Sequence, residues 1–161
     1  MEKPDSGQLK QMAVALINEQ STMALSTARE NAAWAAPVYY ALVKGRFFFF
    51  SDPKSRHIVE AMESGQASAA IYPYADSWQG IRGIQMSGRI RPAGIGLTAV
   101  QAVRAYIEKF PFTKEFFKPG QALDLENFGK QFRVKLYRFE PDLVYYLDNQ
   151  IKFGFRGAVE L

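Results

Sequence analysis

The sequence predicts a mainly antiparallel β-sheet of about six or seven strands, with helices at its start and between its strands, that closes into a small barrel. Short segments of alternating apolar and polar residues, separated by turn residues, indicate β-hairpins along much of the chain. Phe47–Phe50 is a run of four phenylalanines, too short for a helix and typical of a strand buried on both faces. Gly83 and Gly88 interrupt one long strand, and such glycines allow the bends or bulges that a small barrel requires.

Three segments have the apolar spacing of helices. Near the N-terminus, apolar residues recur every third or fourth position, which predicts a first helix over about residues 7–19. Ser55 is a candidate N-cap for a short helix that ends at Gly65. The third helix is predicted over Thr98–Phe110, where an apolar stripe again follows helical spacing.

The strands come from alternation and from their flanking turns, of which two tight ones are predicted at Arg29-Glu30-Asn31 and at Lys44-Gly45. Pro37 lies inside the second of them, and proline has no N–H for the ladder, so the position indicates an edge strand, a bulge, or a place where a ligand replaces the neighbouring strand. The predicted strands are Thr22–Thr27, Ala32–Leu42, Phe47–Phe50, Ala67–Tyr72, Ile81–Arg91, one from Phe132 to about Pro141, and a terminal hairpin of Leu143–Leu147 and Ile151–Phe155.

Composition limits the class of protein. A chain of 161 residues predicts a single domain over residues 1–161, and no apolar run approaches the ~20 residues of a membrane span. The absence of cysteine excludes thiolate chemistry, and a single histidine argues against a structural zinc site, so we assign no metal ligand. The start of the chain lacks the features of an export signal, so we expect a cytoplasmic protein. A net charge of +4 is compatible with anionic ligands or nucleic acid and selects neither.

The turn after the phenylalanine strand has an unusual charge. It reads Ser51-Asp-Pro-Lys-Ser-Arg-His57, which places Arg56 and His57 in the first turn of the following helix. Cations are unfavourable there, because free N–H groups and the helix dipole already make a helix start positive. An anion would reverse this effect, so the run predicts a phosphate or carboxylate site formed with Lys54. The alternative is a solvated basic turn.

A second polar stretch lies on the glycine-interrupted strand. Alternation places Gln85 and Ser87 on one face, and Ile84 and Met86 on the other. Gly83 leaves space beside the Gln85 amide, which both donates and accepts hydrogen bonds and would suit the polar edge of a flat heterocycle. The alternative is a half-exposed strand with ordinary polar residues.

Three segments together resemble the FMN-binding split barrels of the pyridoxine 5′-phosphate oxidase-like superfamily: Ser51-Asp-Pro-Lys-Ser-Arg-His57, the upstream Ala35-Ala-Pro-Val-Tyr39, and the downstream Ile81-Arg-Gly-Ile-Gln-Met-Ser-Gly88. The resemblance covers about residues 20–155. It is strongest to a small bacterial branch that shares the Arg-His pair and the later Lys109-Phe-Pro111 segment.

The resemblance implies a homodimer that holds two FMN molecules at its interface. It assigns Ser51, Lys54, Ser55, Arg56 and His57 to the FMN phosphate. It assigns Pro37, Val38 and Tyr39 to the flavin ring and adds Phe50 at the end of the buried strand. Gln85 or Trp78 would approach from the second subunit. The chain departs from the oxidase itself, which has Ser-Arg-Lys in place of Ser-Arg-His and a C-terminal segment for the substrate phosphate that this chain lacks, so oxidation of pyridoxine phosphate is not implied.

Three functions therefore remain open. The first is an FMN-dependent oxidoreductase in which the flavin performs the chemistry, no side chain is assigned as catalytic, and a nicotinamide nucleotide or another small molecule is the redox partner. The second is a carrier or sensor of flavin or haem on the same barrel. The third is a single-stranded nucleic-acid binder, suggested by a basic chain rich in aromatic residues.

Overall fold

The computed structural model describes residues 3–116 and 125–161, and in the second range it leaves the side chains of Leu125 and Asn127 undescribed. Seven strands follow one another across one antiparallel sheet in the order β2, β1, β5, β6, β7, β4, β3, and the short β8 pairs with β7. The sheet curls into a half-barrel. The helices are α1 Ser6–Glu19, α2 Arg56–Ser64, α3 Leu97–Lys109 and α4 Leu125–Phe132, and a 3-10 helix spans Pro111–Phe116. The strands are β1 Thr22–Arg29, β2 Ala32–Tyr39, β3 Ala41–Val43, β4 Arg46–Ser51, β5 Ala67–Ile71, β6 Arg82–Pro92, β7 Lys135–Asp148 and β8 Arg156–Ala158.

Strand β4 is buried on both faces, as predicted. Phe47 and Phe49 pack into the main core inside the curl, together with the apolar faces of α1 and α2. Phe48 and Phe50 point the other way, toward apolar clusters that include residues of α3. The four phenylalanines therefore join two apolar layers, which is why this strand carries no polar residue between Phe47 and Phe50.

Both predicted tight turns are present. Glu30 and Asn31 have φ of 50° and 64°, and Lys44 and Gly45 have φ of 51° and 73°. Two consecutive residues with positive φ are typical of the turns that match the twist of a hairpin. The first turn joins β1 to β2, and β2 forms one edge of the sheet, which accounts for Pro37.

The predicted strand Ala32–Leu42 is in fact two strands, β2 and β3, separated at Tyr40. The Tyr40 N–H donates to the Ser21 carbonyl (3.3 Å), and its hydroxyl donates to the Ile17 carbonyl (2.6 Å). The first of these bonds continues the β1–β2 pairing by one position, and the second anchors the buried Tyr40 ring on α1. The chain then starts a second hairpin.

The prediction that a strand ends near Pro141 is wrong, because β7 continues through it to Asp148. The register between β6 and β7 shifts at Ser87 and Gly88, so that Gly88 faces Pro141 while Ser87 faces Leu143. Asp142 is the extra residue, and its carboxylate accepts a hydrogen bond from the Ser87 hydroxyl (2.6 Å). The bulge accommodates the proline within the strand.

The prediction of a strand over Ile151–Phe155 is also wrong. The side chains of Asp148 and Asn149 accept hydrogen bonds from the backbone N–H groups of Gln150 (2.8 Å) and Gly154 (2.9 Å), which hold this segment as turns. The strand that pairs with β7 comes later, at Arg156–Ala158. Within residues 3–116 and 125–161, no helix has both the length and the apolar character needed to cross a bilayer.

Candidate functional site

The predicted anion site lies where β4 delivers the chain to α2. Ser51 is the last residue of β4 and is buried. Asp52 then makes a tight turn, in which its carboxylate accepts the Lys54 N–H (2.7 Å) and its carbonyl accepts the Ser55 N–H (3.0 Å). The turn places Ser55 at the N-cap of α2, with Arg56 as the first helical residue.

Three of the predicted site residues meet in one cluster. The Ser51 hydroxyl lies 2.7 Å from His57 Nε2 and 3.2 Å from the Ser55 hydroxyl, and Ser55 Oγ lies 3.3 Å from the same nitrogen. Burial lowers the pKa of His57 below its ordinary value, and the nearby Glu60 carboxylate partly opposes this effect. His57 is therefore held mainly as a neutral imidazole at neutral pH.

Ser55 occupies the N-cap position, as predicted, but its side chain makes no capping hydrogen bond. Its hydroxyl instead donates to the Asp52 carbonyl (2.7 Å). Among the described residues, no acceptor bonds the backbone N–H of Arg56 or His57, and the first turn holds no acidic residue. These two N–H groups stay available for an external anion.

Arg56 has partners that the sequence did not reveal. Its Nε donates to Glu60 Oε1 at 2.6 Å, and its guanidinium carbon lies 4.6 Å from the centre of the Trp34 ring. Arg56 is therefore held within the chain by a carboxylate and an aromatic ring. Among the described residues, its two terminal nitrogens make no hydrogen bond, so they can still bind an anion while Nε is held.

Glu60 is the residue of the candidate site that sequence reasoning missed. It is buried on the inner side of α2, and its second oxygen accepts the Thr27 hydroxyl at 2.6 Å. The hydrogen bond from Thr27 and that from Arg56 lower the pKa of Glu60, so the carboxylate is ionised at neutral pH. The spacing of Arg56 and Glu60 was a usable signal, because residues four apart face each other on a helix.

Other predicted residues lie on the outer face of the sheet, away from the inner core. Pro37 and Gln85 belong to one cross-strand row that runs through Ala24 and Ala70. Three strand spacings separate them, which is about 14 Å. The Gln85 carbonyl oxygen accepts a hydrogen bond from Arg156 (2.6 Å).

The remaining predicted residues are dispersed. Tyr39 is about half exposed at the end of β2 and contacts Phe110 edge to face, whereas Val38 is buried in the main core. The Phe50 ring packs against the Tyr106 ring, with 5.1 Å between the ring centres. The Lys54 side chain is exposed beyond the Asp52 turn.

Trp78 lies on the loop between β5 and β6, where its exposed ring contacts the exposed ring of Phe153 at 5.7 Å. Within this chain, the structure therefore brings together Ser51, Ser55 and His57, and Arg56 lies beside them in the first turn of α2 with its side chain on Glu60 and Trp34. It does not bring Trp78 or Gln85 to them.

No protein-family model matches the sequence, and none of the curated proteins matches it. The fold matches a haem-binding protein from Mycobacterium smegmatis with a TM-score of 0.70 and 16% identity, over 99% of this chain and 59% of that protein. It matches an FAD-binding protein from Mesorhizobium loti with a TM-score of 0.61 and 15% identity, over 83% of this chain and 90% of that one. It matches a candidate pyridoxamine 5′-phosphate oxidase from Listeria innocua with a TM-score of 0.63 and 12% identity, over 86% of this chain and 98% of that one.

These identities are low, so the likeness concerns the architecture and not the chemistry. The chain spans 59% of the haem-binding protein and nearly the whole of the other two proteins. The matches agree with the antiparallel half-barrel and its helices. The chain therefore has the split β-barrel fold on which these flavin-binding and haem-binding proteins are built.

Proposed function

We propose that this protein binds FMN and acts as an oxidoreductase of the pyridoxamine 5′-phosphate oxidase-like type, with the flavin held at a homodimer interface. The observation that carries the proposal is the first turn of α2. Two free backbone N–H groups lie there at the end of a buried strand, beside the Ser51–His57 pair, and Arg56 of the same turn has unbonded terminal nitrogens. Donors in this arrangement fit a phosphate monoester better than a neutral ligand.

Each residue has a separate role in this proposal. The N–H groups of Arg56 and His57 bind phosphate oxygens along the helix axis, and the guanidinium adds a charge-assisted contact. Trp34 holds that guanidinium in place through a cation–π contact, and Glu60 holds it through a hydrogen bond. The FMN ring, when bound, supplies hydride or electron transfer at its own atoms.

The homodimer in this proposal is supported by exposed apolar surface. The outer face of β1, β2 and β5 is formed largely by alanine, serine and Pro37, so a second chain could approach the sheet closely. Large exposed rings also occur on the loops that follow β5 and β7, including Tyr74 at 91% exposure and Phe153 at 74%. Apolar patches of this kind usually mark partner surfaces.

Haem binding is the second candidate function, and the match to a haem-binding protein favours it. A haem iron would need an axial ligand, and the sole histidine already contacts Ser51 and Ser55. The flavin proposal uses His57 in the position it already occupies.

The decisive experiment is reconstitution of the purified protein with FMN, followed by absorption spectroscopy and light scattering. We expect a bound flavin band near 450 nm and a mass of two chains at micromolar concentration. Bleaching of the flavin by NADH or NADPH would separate an enzyme from a carrier. A Soret band after addition of haem, with no retention of FMN, would favour the second candidate, and a strictly monomeric flavin complex would contradict the shared site.

FMN affinity is expected to fall as pH rises through the titration of His57. Burial holds the pKa of His57 below 6.5 in the free protein, and a bound dianionic phosphate should raise it. Binding then takes up a proton between the two pKa values, so the contribution of His57 to FMN affinity is largest below the lower one. Because the chain has one histidine, a single imidazole proton signal in NMR reports both pKa values without assignment.

His57→Gln serves as the control in this titration, since glutamine keeps hydrogen-bonding groups but does not titrate. Its FMN affinity should follow only the ionisation of the ligand phosphate, so the ratio of wild-type to variant affinity across pH 5.5–8.5 isolates the effect of His57. A wild-type imidazole pKa that FMN leaves unchanged would remove His57 from the phosphate site.

A further inference from the structure

A cavity lies beside the candidate anion site, on the side of the sheet that faces α4. Its volume is ≈ 830 Å³, and it is bounded by the turn after β4, the segment after β6, α4 and the start of β7. Pockets for small organic ligands usually measure about 300–1,000 Å³. The cavity shares the Asp52–Lys54 turn with the anion site, but it includes no residue from the row between Pro37 and Gln85.

One part of the cavity wall is apolar. Phe50, Pro92, Ile95 and Leu136 contribute to it. The Ile95 side chain is fully exposed at 101%, so no other part of the described chain covers it. An apolar surface that remains open to water in a concave site is favourable for an apolar ligand.

Another part of the wall is cationic. Lys54, Arg133 and Lys135 line it with exposed side chains, and none of them has a carboxylate partner within ion-pair distance among the described residues. The two acidic residues in the wall are already engaged. Asp52 accepts the Lys54 N–H, and Glu126 pairs with Lys130 at 2.7 Å.

We propose that this cavity binds a small amphipathic organic anion, such as a fatty or aromatic carboxylate. Its apolar body contacts Phe50 and Leu136, and its anionic group binds at Arg133 and Lys135. The proposal follows from the coexistence of an uncovered apolar wall and uncompensated cations in one concave site. It does not depend on flavin binding, because the outer face of the sheet contributes nothing to this wall.

Two fluorescent probes with the same ring system test the proposal. They are 8-anilinonaphthalene-1-sulfonate, which is anionic, and N-phenyl-1-naphthylamine, which is uncharged. We expect the anionic probe to bind with one molecule per chain. The variant Arg133→Asn/Lys135→Gln should weaken it about tenfold or more and leave the uncharged probe within about twofold.

A matched control removes two cations elsewhere, in Lys44→Asn/Lys10→Gln. Lys44 and Arg133 both have positive φ, of 51° and 56°, which asparagine tolerates, and Lys10 and Lys135 are both exposed. The control variant should bind both probes as the wild type does. The proposal would be overturned if both double variants lost affinity for the anionic probe equally. It would also be overturned if Arg133→Asn/Lys135→Gln lost affinity for both probes equally. Displacement of the anionic probe by saturating FMN would overturn it as well, because the probe would then occupy the flavin site.

Discussion

Arg56→Ala is expected to weaken FMN binding by about 10- to 150-fold and to leave riboflavin binding within about twofold. The terminal nitrogens of Arg56 have no partner in the described chain, and in the proposed function they bind only the phosphate. Riboflavin has the same ring and ribityl chain without that phosphate. Quenching of flavin fluorescence measures both affinities under the same conditions.

The contact between Arg56 and Glu60 complicates the single variant. Alanine at position 56 leaves a buried, ionised carboxylate with Thr27 as its remaining hydrogen-bond donor among the described residues, so the variant should also lose stability. Glu60→Gln removes that charge and keeps an acceptor for the Thr27 hydroxyl. The double variant Arg56→Ala/Glu60→Gln should therefore regain stability and still bind FMN weakly.

The double variant separates a binding role from a structural one. Urea unfolding gives the stability, and the two flavin titrations give the affinities. Equal weakening for FMN and riboflavin in a stable double variant would assign Arg56 to the ring. Full recovery of FMN affinity in that variant would show that the single substitution acted only through the fold.

Gly88→Ala is expected to lower the free energy of unfolding by about 3 kcal/mol or more, because it forces atoms into a well-packed backbone. A Cβ at this position would lie 2.2 Å from the Glu140 carbonyl oxygen and 2.8 Å from Pro141 Cα, and neither belongs to a side chain that could move aside. Thermal or urea unfolding measures the change.

Gly96→Ala is the matched control for that substitution. A Cβ there meets no heavy atom within 4 Å, and the backbone of Gly96 is extended. The loss in the control should stay below about 1 kcal/mol. If the two variants lost similar amounts of unfolding free energy, the β6–β7 bulge would not require a residue without a side chain at position 88.

Patterns confined to neighbouring residues allowed much of the fold to be predicted. The Phe47–Phe50 strand, the hairpin turn at Lys44-Gly45 and the start of α2 at Arg56 each depend on residues within a few positions of one another. The first helix, predicted over residues 7–19, is observed at Ser6–Glu19, where Asp5 and Gln8 form a capping box. An unbroken apolar run, a turn pair and a helix start are all local signals in the sequence, so composition and spacing were enough.

The predictions that failed depend on contacts across the sheet. Pro141 ends a strand in isolation, but the bulge opposite Gly88 admits it, and that bulge depends on a strand more than fifty positions away. The segment Ile151–Phe155 alternates like a strand, yet the side chains of Asp148 and Asn149 hold it as turns.

The sequence by itself determined that a buried strand runs into a cationic helix start with the composition of an anion site. Only the tertiary structure decided how that site is held. Thr27 reaches Glu60 across 33 positions, and Glu60 then fixes Arg56 from the inner side of α2. A buried carboxylate must be paired to remain charged, and its partner is set by which strand lies under the helix, a relation that no local pattern in the chain records.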